Sequence, residues 1–250
     1  MLHLLNRGLL VILIATSCSN SGQIETVSPT IENNTNMEKD KIYVTALVYL
    51  KKGEEQLFSK YRSRAVAILE KHNARLEKII QPTMLAKGDM ALPSEIHFAV
   101  FDNEASLTAL NDDPEYQYII NNYRIPSVDS LIIIPSKLSG FQFTREVGDS
   151  SKTYGIALLN YNNDKDGRSK FENYHDRACA IMPEFGTHFE RFLIPTGIKG
   201  SFQQPDEIHR FYFDSMEGLQ QMGTDPRMLN LFPLRDESLS RLNFIIGKSI

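Results

Sequence analysis

The sequence predicts an α+β fold in which two tandem ferredoxin-like βαββαβ repeats pack sheet to sheet as a pseudo-dimeric α/β barrel. Three observations carry this. Pro93-Ser94-Glu95-Ile96-His97 returns as Pro205-Asp206-Glu207-Ile208-His209, 112 residues further on, and Phe101-Asp102 returns at the same spacing as Phe213-Asp214. Further matched blocks flank that motif in the same order, which one chance pentapeptide does not produce. In each copy, runs with strand character and runs with helix character alternate as strand, helix, strand, strand, helix, strand, the order of the ferredoxin-like plait.

The first strand lies near 42–50, rich in Val, Leu and Tyr. Tyr43-Val44-Thr45-Ala46-Leu47 returns as Tyr154-Gly155-Ile156-Ala157-Leu158. A helix follows near 54–73. Its apolar positions Leu57, Phe58, Tyr61, Ala65, Ile68 and Leu69 fall on one helical face, and Phe171, Tyr174, Ala178, Ile181, Met182 and Phe185 repeat the stripe. Strands near 74–80 and 95–101 come next, then a helix near 103–110. Asn111-Asp112-Asp113-Pro114 interrupts that helix, because proline disfavours helical backbone at the residue before it. A second helical turn carries Tyr116, Ile119 and Ile120, and the last strand is Leu131 to Ile134, matched by Leu242 and Ile245. The helices of one plait cover one face of its sheet. The other face spans on the order of 300 Å², near the largest apolar patch a monomer usually shows. A second copy in the same chain covers it, so no further oligomer is required.

The 250 residues are 42% hydrophobic and 23% charged with a net charge of −4, an ordinary globular composition without the basic stripe that nucleic acid demands. No Gly-rich phosphate loop, Cys-x-x-Cys pair or His-Glu-x-x-His helix occurs, so no cofactor and no metal is expected. Residues 1–17 read as a signal peptide: Arg7 precedes the apolar run Leu9 to Ala15, too short to span a bilayer. Ala15-Thr16-Ser17-Cys18 resembles a bacterial lipobox, which implies lipidation of Cys18, membrane attachment and a cell-envelope location. Ordinary secretory cleavage at the same bond is the alternative, giving a periplasmic or secreted protein. Residues 18–40 are polar and aperiodic, a disordered tether. The remaining boundaries are 41–138 for repeat 1, 139–152 for a linker and 153–250 for repeat 2.

The chain resembles the dimeric α/β-barrel superfamily of plait domains, which includes antibiotic-biosynthesis monooxygenases and EthD-like proteins. It is nearest a short family of unknown function. The matching residues are Phe101-Asp102-Asn103-Glu104-Ala105 followed by Asn111-Asp112-Asp113-Pro114-Glu115-Tyr116; repeat 2 departs, with Thr224-Asp225-Pro226-Arg227-Met228. The resemblance implies the fold. It implies function hardly at all, since the fold hosts many chemistries. Taken together with inward-facing His and Glu pairs, it gives the expectation of a small organic ligand in the barrel interior and an activity of the cofactor-independent monooxygenase or isomerase type. The alternative is a non-catalytic cell-envelope structural or interaction module, and the residues leave open whether the protein is an enzyme.

Side chains alternate faces along a strand. Assigning Ile96, Phe98 and Val100 to the helix-covered face turns Glu95, His97 and Ala99 into the barrel, with Glu207 and His209 in the same places of repeat 2. The same reasoning turns Arg75 and Glu77, and His188 and Glu190, inward. The catalytic candidates are therefore His97, His209, Glu77 and Glu190. The ligand-binding candidates are Tyr43, Glu95, Tyr154, Glu207, Arg241 and Asn243. Histidine beside glutamate suits proton transfer near neutral pH. The same residues also suit a symmetric seam in which Glu and His hydrogen-bond across the two sheets. His72 and His175 are expected at the surface or its boundary. Cys179 is expected as a small residue at the core edge.

Overall fold

The structure is a computed structural model; it describes residues 40–141, 145–163 and 166–250. Residues 1–17, expected as a signal peptide, and Cys18, expected to be lipidated, lie outside these residues. Among them, no helix is long and apolar enough to cross a membrane.

The first half of the described chain runs β1 (Ile42–Leu50), α1 (Glu55–Lys71), β2 (Ala74–Lys87), β3 (Glu95–Phe101), α2 (Glu104–Asp112), α3 (Pro114–Ile119), α4 (Ile125–Ser127) and β4 (Val128–Leu138). The second runs β5 (Thr153–Tyr161), α5 (Gly167–Ile181), β6 (Thr187–Pro195), β7 (Glu207–Phe213), α6 (Met216–Thr224), α7 (Pro226–Leu229), α8 (Phe232–Ser238) and β8 (Leu239–Ser249). Local chemistry sets several boundaries. Asn103 accepts from the Ser106 amide and Ser215 from the Gly218 amide, capping α2 and α6. Asp113 ends α2 in an extended conformation ahead of Pro114, then caps α3 through the amides of Glu115 and Tyr116. Asp225-Pro226 repeats the device for α7, where Asp225 accepts from the Arg227 amide.

The strands close into one barrel in the order β1-β3-β2-β8-β5-β7-β6-β4. Each half contributes four neighbouring strands, and all pairs are antiparallel. Two seams join the halves. At one, β2 pairs with β8 from Ile80↔Ser249 to Lys87↔Phe244. At the other, β4 pairs with β6 only from Ser136↔Pro195 to Leu138↔Leu193. There the chain after β6 crosses to β4, and Ile133 and Lys199 exchange backbone hydrogen bonds of 2.9 Å each way.

Three apolar cores result. One fills the barrel and draws on both halves, with Tyr43, Ile96, Phe98 and Val100 against Tyr154, Ile156, Ile208 and Tyr212. The second lies between the first four strands and α1 to α3, around Phe58, Tyr61, Ile68 and Phe101. The third lies beneath α5 to α8, around Phe171, Ala178, Phe211 and Met228. This reverses the expected faces of β3 and β7. Ile96, Phe98 and Val100 point into the barrel, while His97, and with it Glu95, lie on the helix side; Ile208 and His209 divide likewise. The reason is that both faces of these strands are buried. Alternation finds the two faces but does not say which one the helices cover.

Candidate functional site

Polar side chains gather in two distinct places. Inside the barrel, β2 carries an irregularity between Leu76 and Lys78, and β6 carries one between Phe189 and Arg191. A bulge breaks the two-residue alternation. Glu77 with Lys78, and Glu190 with Arg191, therefore both turn inward although adjacent in sequence. The pairing crosses between the halves. Arg191 Nη2 and Arg210 Nη2 each donate to Glu77 at 2.9 Å. Lys78 Nζ donates to Glu190 at 2.7 Å, to the Gly148 carbonyl at 2.9 Å and to the Tyr154 hydroxyl. Arg210 Nε lies 2.8 Å from Glu190 Oε2, an ion pair out of line for a hydrogen bond. The Arg191 guanidinium lies 4.7 Å over Tyr43 and that of Arg210 lies 4.5 Å over Phe98.

Glu190 is 0% exposed and Arg191 and Arg210 are 3%, so these charges persist only because they are paired. Burial opposes ionisation of Glu77, but Arg210 and Arg191 outweigh it and bring the carboxyl down to about 2. Burial and the charge of Arg210 hold Lys78 below its ordinary value, against the pull of Glu190. The arrangement joins the two halves as a reciprocal set of ion pairs. The groups that join the halves are Glu with Lys and Arg; the Glu and His pairs expected to bond across the sheets lie instead within single strands.

The histidines sit outside the barrel wall. His209 Nε2 lies 2.7 Å from Glu207 Oε2, two residues back on the same strand, and His97 Nε2 lies 2.6 Å from Glu95 Oε2. With each carboxylate ionised, Nε2 carries the proton and donates, leaving Nδ1 as the free lone pair. Burial raises Glu207, but His209 outweighs it and keeps the carboxyl below its ordinary value. Glu95 behaves in the same way with His97 and Arg62. Each histidine lines a cavity between sheet and helices, of about 270 Å³ in the first half and about 220 Å³ in the second.

The two dyads differ at one position of the overlying helix. In α1, Arg62 Nη1 donates to Glu95 at 2.9 Å and locks the first dyad. In α5 the matching position holds His175, whose ring centroid is 5.3 Å from that of His209. His175 is buried, which corrects the expectation of a surface or boundary residue. Burial is the largest cause that lowers it to about 3, so it is neutral. Its Nε2 lies 3.3 Å from the Cys179 sulfur, and burial pushes that thiol up to about 12. Phe141 lies tilted against the His175 ring, centroids 4.1 Å apart, and meets Phe192 edge-on at 5.9 Å, closing the aromatic wall. His209 Nδ1 has no hydrogen-bond partner among the described residues.

The candidate set therefore divides. Tyr43, Tyr154, Glu77 and Glu190 meet inside the barrel. His97 with Glu95, and His209 with Glu207, lie under the helices, one pair per half. Arg241 binds Asp89 at 2.7 Å, and Asn243 Oδ1 accepts from the Asp89 and Met90 amides, so both hold the turn after β2. Lys78, Arg191, Arg210, His175 and Phe141 were missed. Arg210 was the legible signal: it stands 112 residues after Phe98, so the face taken for a helix-packed one is not apolar in the second half. Among the described residues no group of three or more His, Cys, Asp and Glu is placed to hold a metal ion.

No family model matches the chain, and no curated protein matches it. Solved structures do. An anthrone oxidase-like protein superposes with a TM-score of 0.59 at 9% identity, over 86% of this chain and 93% of that one. A monooxygenase-like protein from Fusobacterium nucleatum subsp. nucleatum gives 0.57 at 6% identity, over 85% and 94%. A variant of chlorite dismutase from Candidatus Nitrospira defluvii gives 0.55 at 10% identity, over 88% and 95%. What this chain shares with them is the fold, an α+β barrel of the dimeric type.

Proposed function

We propose that this chain is an exported, lipid-anchored protein made of two copies of a ferredoxin-like unit. In this reading it binds a small, largely apolar organic molecule beneath the helices of its second half. The ligand lies in the aromatic cavity bounded by Phe171, His175, Phe192 and Phe211 rather than in the barrel interior, whose polar centre the ion pairs occupy. His209 acts there as a base toward a weakly acidic proton of the ligand, and Glu207 stabilises the imidazolium that forms. Such chemistry suits a monooxygenase-like or isomerase-like enzyme that uses no cofactor, and the anthrone oxidase-like and monooxygenase-like neighbours agree with it at the level of fold.

The observation that carries the proposal is the His209–Glu207 pair, with its unpartnered Nδ1 on a cavity wall. Titration with 1-naphthol, an aromatic molecule with one weakly acidic hydroxyl, tests it. Binding is expected to weaken at least tenfold in His209→Ala while the unfolding midpoint changes little. Unchanged affinity in that variant overturns it. The second reading, a non-catalytic envelope module, is favoured by Arg62, which turns the matching dyad of the first half into a closed ion pair. It predicts that His97→Ala and His209→Ala both impair folding and that neither alters ligand binding.

A further inference from the structure

The first cavity is not a second copy of the one beneath α5. Its walls are apolar, with Ala46, Ala65, Leu69 and Ala99 among them, but Arg62, Arg124 and Lys199 also line it and no carboxylate does. Arg62 is occupied by Glu95. Arg124 and Lys199 have no ion pair among the described residues. The Arg124 guanidinium rests 5.7 Å over the Tyr61 ring. Asp129 shares a shallow outer depression with it but forms no ion pair.

Lys199 belongs to the other half of the chain. The two backbone hydrogen bonds to Ile133 bring it to this rim. Gly200, at φ +113, turns the chain immediately afterwards, close against Leu131 and Ile132. In the second cavity the lining cation is Arg235, and Asp236 neutralises it at 2.8 Å. An excess of cations around an apolar cavity, in a chain of net charge −4, is local and specific.

We propose that the first cavity binds an amphipathic carboxylate, a medium-chain alkyl or small aryl acid, with its tail among the alanines and its carboxylate between Arg124 and Lys199. Two cations on an otherwise apolar wall favour the acid over the alcohol of equal length, because only the acid supplies charge-assisted hydrogen bonds. This site is separate from the one assigned to His209 and stands whether or not that one is catalytic.

Equilibrium dialysis of the full-length chain against octanoate and octan-1-ol tests it. At pH 7 octanoate is expected to bind at least tenfold tighter, about 1.4 kcal/mol. Raising the salt to 1 M should erase that preference in the wild-type chain. The Arg124→Gln/Lys199→Gln double variant should erase it at low salt and keep its affinity for octan-1-ol. His209→Ala should bind octanoate as the wild type does. Equal affinity for acid and alcohol overturns the proposal. So does an acid preference that survives high salt, one that survives the double substitution, or one that disappears in His209→Ala.

Discussion

At Glu77 burial and charge pull in opposite directions, and the outcome has a definite sign. Its carboxyl falls from an ordinary 4.5 to about 2 because Arg210 and Arg191 outweigh desolvation. A lowered folded-state value contributes stability that is complete above about pH 5 and is lost as pH falls through 4.5 toward 2. The size is about 3 kcal/mol. Urea unfolding between pH 6 and pH 3 should show more than half of this loss, and Glu77→Gln should flatten it. At pH 7 the same substitution should destabilise by about 3–5 kcal/mol, because Arg191 and Arg210 then stay buried without their partner. Cys179 has the opposite character. With its thiol pushed up to about 12 by burial, alkylation of the native protein at pH 8 should run at least about a hundredfold slower than that of free cysteine. Mass spectrometry measures the rate, and fast labelling would contradict the assignment of His175 and Cys179 as a neutral pair.

At the scale of elements, residues 146–148 ahead of β5 work as a strap, tied to both β2 and β6. The Gly148 amide donates to Glu190, its carbonyl accepts from Lys78, and Glu146 binds His188 at 2.7 Å. A side chain at position 148 would bring its Cβ within 2.7 Å of the Tyr154 hydroxyl and 2.8 Å of the Tyr212 ring. Gly148→Ala should therefore cost about 1–3 kcal/mol by overpacking. His188 fixes the strap from outside. Burial lowers it, but hydrogen bonds to Asp214 and Glu146 prevail, and it titrates above its ordinary value. A raised value means the clamp is complete below about pH 6.5 and fails as pH rises through the folded-state value. Amide exchange at Glu146, whose N–H donates to the Phe189 carbonyl, should lose protection at high pH beyond the intrinsic rise in exchange rate, and His188→Gln should remove that excess.

These elements also show what a sequence can and cannot disclose. The helical stripes, the Asp-Pro caps and the strand at 95–101 were legible because they depend on neighbours within a few residues. The strap, the bulges at Glu77 and Glu190 and the long extension of β2 were not: the strap answers to partners 42 to 70 residues away, and the others to partners more than a hundred residues away. The face error at His97 and His209 has the same origin: which face of a doubly buried strand meets the helices is decided by barrel closure.

For the whole molecule, closure makes the two halves interdependent. The barrel core takes Ile96 and Phe98 from one half and Ile156 and Ile208 from the other. Glu77 finds both of its buried cations in the second half. Residues 41–138 expressed alone should therefore expose the inner face and two strand edges, and should self-associate or remain unfolded instead of forming a stable monomer. Size-exclusion chromatography with light scattering decides this. The same closure is why the proposed ligand site lies outside the barrel wall: the polar residues at the barrel's centre are already paired with one another. The most direct measurement is a crystal structure of the chain soaked with 1-naphthol. The naphthol oxygen is expected within about 3.2 Å of His209 Nδ1, between the β-sheet and α5. Density for the probe inside the barrel, among Glu77, Arg191 and Arg210, would contradict it.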